Sequence, residues 1–97
     1  MVEAPSKRLK CKIVGVNLID LDFFSKSDPI CMVEELVRGG EWTRRDQTEV
    51  IMNNLNPEFT KELEFEYTNT SQIMKFVMHD YDGGNAFELI GIKQFTV

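Results

Sequence analysis

Thr60-Lys61-Glu62-Leu63-Glu64-Phe65-Glu66-Tyr67 alternates acidic and apolar residues with a period of two. That is the period of a half-buried β-strand. It turns Leu63, Phe65 and Tyr67 to a core and Glu62, Glu64 and Glu66 to water. Working outward, the same period recurs. Residues 8–16 set Leu9, Cys11 and Ile13 between Lys10 and Lys12. Residues 29–36 form a second strand, with Pro29 tolerated at its first position. Arg38-Gly39-Gly40-Glu41 is a turn signal, and it joins that strand to a third at residues 42–51 as a hairpin. Residues 52–57 are a turn, residues 73–80 a mostly apolar strand, and residues 89–97 the last strand. Helical periodicity is not evident over a useful length. Short strands separated by turn signals at intervals of roughly 8–12 residues predict an all-β antiparallel sandwich.

The chain has 97 residues, 42% hydrophobic and 28% charged, which suits one compact domain. We read residues 1–7 as an N-terminal tail and residues 8–97 as a single domain. No apolar run reaches the roughly 20 residues that a membrane helix needs. The polar start resembles no signal peptide, so unless one was trimmed away the expectation is a cytoplasmic protein. Sixteen acidic residues against eleven basic ones leave a net charge of −5. An acidic chain argues against nucleic acid, whose phosphates call for a basic face. Cys11 and Cys31 both lie in alternating apolar stretches and read as reduced core residues. No cysteine or histidine cluster suggests zinc.

Two loops concentrate the acids. The first is Asp20-Leu21-Asp22-Phe23-Phe24-Ser25-Lys26-Ser27-Asp28-Pro29, and the second is Asp80-Tyr81-Asp82-Gly83-Gly84-Asn85-Ala86-Phe87-Glu88. Loops of a β-sandwich gather at its two ends, so the two loops can share one end. Asp22, Asp28, Asp80, Asp82 and Glu88 then converge. Gathered carboxylates repel, and a hard divalent cation with a flexible oxygen shell relieves the repulsion. That description fits calcium better than magnesium, which keeps its waters. Solvated loop acids are the plain alternative for either loop alone. An EF-hand is excluded, because Asn85 and Gly91 stand where its loop needs glycine and glutamate. His79 precedes Asp80 on a strand, so the two side chains point to opposite faces and form no dyad. With no nucleophile motif beside it, the sequence does not read as an enzyme.

Asp22-x5-Asp28-Pro29, Leu55-Asn56-Pro57-x-Phe59 and Asp80-x-Asp82-x5-Glu88-Leu89-Ile90-Gly91 together resemble the C2 domain pattern, and the wording is closest to copines. The resemblance covers about residues 8–97. It implies an eight-stranded Greek-key sandwich of permuted topology, of which this sequence supplies about six strands and lacks the last one or two. It also implies two or three calcium ions, held by Asp22, Asp28, Asp80, Asp82 and Glu88. The domain then docks on anionic, phosphatidylserine-type membrane at the inner face of the cell. Glu88 stands where family members usually have aspartate. Phe23 and Phe24 at the tip of the first loop, and Phe87 in the other, are the candidates for membrane insertion. Lys7, Arg8, Lys10 and Lys12 form a basic cluster that reads as a solvated strand face. The rival readings are a calcium-independent module for a protein partner and a fragment of a larger copine-like protein.

Overall fold

In a computed structural model of the chain, the described residues are 7–19, 27–68, 71–84 and 86–96. They contain six strands: β1 (Lys7–Cys11), β2 (Pro29–Val37), β3 (Glu41–Gln47), β4 (Leu63–Tyr67), β5 (Ile73–Tyr81) and β6 (Phe87–Thr96). All pairings are antiparallel. One sheet has the order β3-β2-β5-β6, and β1 and β4 make the other. The all-β sandwich expected from the alternation is therefore present.

The two sheets face each other over Cys31, Val33, Phe59, Leu63, Phe65 and Met74, all buried. Leu63 and Phe65 supply the inward half of the alternating β4 stretch, as their spacing requires. Phe95 of β6 stacks on Phe76 at 4.7 Å and meets Phe65 of the opposite sheet edge-on at 6.2 Å, so one ring ties the layers together. From Pro29 to Val33, β2 is buried on both faces, as befits a strand at the centre of its sheet. Gly39 and Gly40 turn the β2–β3 hairpin at φ of 95° and 81°, a region that residues with a side chain rarely adopt.

At three of the strand boundaries that differ from the alternation, the reason is local. After Cys11, the chain leaves β4 and runs against the Asn56-Pro57 segment instead. There, Gly15 N–H donates to Pro57 O at 2.8 Å and Phe59 N–H to Ile13 O at 3.2 Å. The third strand stops at Gln47, because Thr48 turns inward and its hydroxyl accepts the amide of Cys31 at 2.9 Å. The fourth begins at Leu63 because the amides of Thr60 and Lys61 are taken by the Glu49 carboxylate, at 2.7 and 3.2 Å. Cys31 is buried and Cys11 only half-buried, and both are free thiols.

Candidate metal centre

The inner face of β5 carries Met74, Phe76 and Met78 into the core. Alternation puts Asp80 next on that same face, where it is fully buried. Asp80 is thus a carboxylate at the end of an apolar row, at the rim where the loops begin. Its neighbour His79 faces the other way, against the ring of Phe87 at 5.6 Å, and burial lowers its pKa.

Glu88 reaches Asp80 through an irregularity. Along β6, Phe95 and Gly91 share the core side, with Gly91 opposite Met78. The pairing then slips, so that Leu89 opposes His79 and Glu88 opposes Asp80. Ile90 is the extra residue of a β-bulge, and the bulge reverses which face each later residue occupies. Without it, Glu88 would point to the outer face. Between the strands the chain turns tightly. Asp82 N–H donates to Ala86 O at 2.9 Å, and Gly83 and Gly84 adopt φ of 92° and 58°.

Asp80, Asp82 and Glu88 consequently bring one carboxylate oxygen each within 4.8 Å of the others. Like charges set directly across two strands destabilise the pair. The Asp82 charge, above all, pushes the Glu88 carboxyl above its ordinary range. The cluster is all-oxygen and anionic, the donor set of a hard cation. A second observation points the same way. Asp80 Oδ1 accepts the amide of Asp28 at 2.8 Å, but among the described residues buried Asp80 Oδ2 has no hydrogen-bond partner. A buried carboxylate oxygen left bare is costly unless a cation meets it.

Asp28 sits beside this group and outside it. Its backbone joins the second acidic loop, with its amide on Asp80 and its carbonyl accepting Tyr81 N–H at 2.9 Å. Its side-chain Oδ1 accepts the amide of Asn53 at 2.6 Å. Asn53 holds φ at 50°, a left-handed conformation that asparagine tolerates better than most residues. Asp22, Phe23, Phe24 and Asn85 lie outside the described residues. Phe87, expected within the loop, is instead the first residue of β6. Its ring packs on Tyr81 at 5.2 Å and is 37% exposed.

Two features were not legible in the sequence. Met52 precedes Asn53 at the same end of the molecule and is 67% exposed, more than Phe87. The turn it belongs to is tied to Asp28, 25 residues away in the chain, through the amide of Asn53. A cleft of about 400 Å³ is lined by Ile30, Arg44, Gln47, Tyr81, Gly84 and Phe87. It places the Arg44 guanidinium beside the acidic hairpin.

The profile described as "C2 domain" matches residues 7–97. The chain is 39% identical over 95 residues to nicotinic receptor-associated protein 1 of Caenorhabditis elegans, covering 80% of this chain and 15% of that protein. It is 35% identical over 97 residues to Copine-A of Dictyostelium discoideum, covering 99% of this chain and 16% of that one. The chain therefore spans about a sixth of the length of these relatives. Among solved structures, a C2 domain of plant Extended Synaptotagmin 1 aligns with a TM-score of 0.76 at 23% identity, over 95% of this chain and 70% of that one. BON1-C2B aligns with a TM-score of 0.74 at 28% identity, over 94% and 63%. With the profile spanning every described strand and the same sandwich found in these structures, this chain belongs to the C2 domain family and resembles the copines within it.

Proposed function

We propose that this domain is a calcium-dependent membrane-binding module, and not an enzyme, that attaches to anionic phospholipid through the loops at one end of the sandwich. C2 domains bind phospholipid membranes or proteins, and the acidic end of this one favours the first. The observation that carries the reading is the three-carboxylate group with a bare, buried oxygen on Asp80. Asp80, Asp82 and Glu88 would hold the ion, with Asp28 and Asp22 as further donors from the first loop. Bound calcium supplies positive charge at a surface that otherwise repels phosphate.

The chain's own residues do the rest. Asp28 ties the first loop to the second acidic loop through Asp80 and Tyr81, and to the turn at residues 52–57 through Asn53. Met52 and Phe87 present apolar surface at that end, with Phe23 and Phe24 as the candidates from the first loop. Arg44 supplies a fixed cation to the cleft beside the hairpin. No helix among the described residues is long and apolar enough to cross a membrane, so attachment would be peripheral. The matching location is the cytoplasm, with recruitment to the inner face of a membrane.

Sedimentation with phosphatidylserine liposomes, in calcium and in chelator, tests the reading. Pelleting in calcium that is lost in chelator and in Asp80→Asn supports it. Pelleting that ignores calcium, or none from folded protein, overturns it in favour of a calcium-independent protein-binding module.

A further inference from the structure

The outer face of the four-stranded sheet carries a feature that the ion site does not use. Residues paired across an antiparallel ladder share a face. His79 packs on Phe87 away from the core, so the residues in step with them mark the outer face. On β6 these are Phe87, Leu89, Ile92, Gln94 and Thr96, opposite Tyr81, His79, Val77, Lys75 and Ile73. None of the five on β6 is charged. Phe87 is 37% exposed, and Leu89 and Ile92 are each 54% exposed. The bulge at Ile90 makes this row. The slip that turns Glu88 inward sets Phe87 and Leu89 outward, in line with Ile92.

An edge strand ordinarily carries charge that keeps it in water. This row instead begins at the rim of the acidic hairpin, with Phe87, and runs roughly 16 Å along the strand to Ile92. The rest of the outer face is poor in carboxylates, although the chain has a net charge of −5. Among the described strand residues it holds one, Glu34, which Lys75 pairs at 3.4 Å. The Lys75 ammonium also lies 4.3 Å from the ring of Trp42, on the β3 side. Strands that complete a sandwich extend a sheet or close over its inner side, so they do not cover an outer face. A contiguous exposed apolar row of this kind marks a contact surface. Its continuity with the loop end, and the absence of an unpaired carboxylate on its face, fit an anionic bilayer.

We infer that the domain lies on the membrane tilted toward β6, with Leu89 and Ile92 in the interfacial layer beside Phe87. The inference rests on the reading of the loop end as the site of membrane attachment. End-on docking would leave Leu89 and Ile92 in water. Docking flat on the sheet would carry Trp42 and the Glu34–Lys75 pair down with them. A tilt toward β6 buries the uncharged row and keeps that pair in water.

The test uses phosphatidylserine liposomes in calcium. Leu89→Gln combined with Ile92→Gln is expected to weaken liposome binding by about tenfold or more. The rise in melting temperature on adding calcium should stay that of wild type. A fluorescent label at Leu89→Cys, in a Cys11→Ser background, gives a second reading should the double variant fail to fold. Nitroxide lipids are expected to quench that label in calcium and not in chelator, and to leave Trp42, the only tryptophan, unquenched. Full calcium-dependent pelleting by the folded double variant, or quenching of Trp42 in place of the label, overturns the tilt and leaves the calcium reading standing. Liposome binding that ignores calcium, or none from folded wild type, overturns both. A wild-type dimer in sedimentation that the double variant dissolves would assign the row to a second copy of the chain and overturn the tilt as well.

Discussion

The amide of Asp28 donates to Oδ1 of Asp80 over 2.8 Å, so a fully buried carboxylate is half satisfied by the first loop, and its other oxygen meets no partner among the described residues. Calcium is expected to stabilise the fold through that second oxygen. At about 100 times its dissociation constant, the gain is about 2.7 kcal/mol. In a domain of this size that is a rise of roughly ten degrees or more in melting temperature. Asp80→Asn keeps an acceptor for the Asp28 amide and removes the charge, so its melting temperature should not move with calcium. Thermal unfolding in calcium and in chelator reads this directly.

Gly15 tolerates no side chain. A Cβ there would lie 2.9 Å from Pro57 Cδ, 3.0 Å from Pro57 Cγ and 3.3 Å from Leu18. The same glycine donates its amide to Pro57 O, so neither segment can retreat without losing that bond. Gly15→Ala is expected to cost about 1–3 kcal/mol, measured as a lower urea midpoint.

Leu63 is fully buried between the sheets. Leu63→Ala should cost about 2–5 kcal/mol through lost burial and the cavity left behind. Glu62→Ala, one residue away on the exposed side, should stay within about 0.5 kcal/mol of wild type. The contrast in denaturant midpoints tests the alternation on which the fold reading rests.

Asp46 holds the start of β4. It accepts the Lys61 ammonium at 2.6 Å and the Glu64 amide at 2.9 Å. Burial alone would raise its pKa, but these bonds and the Lys61 charge outweigh it and leave the carboxyl below its ordinary range. An acid depressed in the folded state stabilises fully above its unfolded pKa of about 4. That contribution fades as pH falls through the folded value. The stability gap between wild type and Asp46→Asn should therefore be constant at neutral pH and close on acidification below about pH 4. Urea titrations across that range check the sign.

Burial pushes the Cys31 thiol up to about 12, against a backbone hydrogen bond with Val77 that lowers it. Cys11 is also raised, by burial and then by the Glu62 charge. The thiolate is the reactive form, so Cys31 should resist iodoacetamide at neutral pH until the protein unfolds. Half-buried Cys11 should react first, as read by peptide mass spectrometry.

Period-two alternation was enough to determine that this chain builds antiparallel strands, because a strand that buries one face must alternate. The spacing of Asp80 and Asp82 likewise placed two carboxylates on one side of a single segment. Other features were decided only by the tertiary structure. The bulge at Ile90 turned Glu88 toward Asp80, and no local pattern marks it, since Leu89-Ile90-Gly91 reads equally well in either register. The left-handed turn at Asn53 gave its amide to Asp28, and that bond joins residues 25 apart in the chain. The burial of Asp80 was set by the row of core side chains before it and by the loops packed over its end. Alternation is a property of one strand. Which oxygen of Asp80 is met by a partner among the described residues depends on the backbone of Asp28 arriving from a different part of the chain.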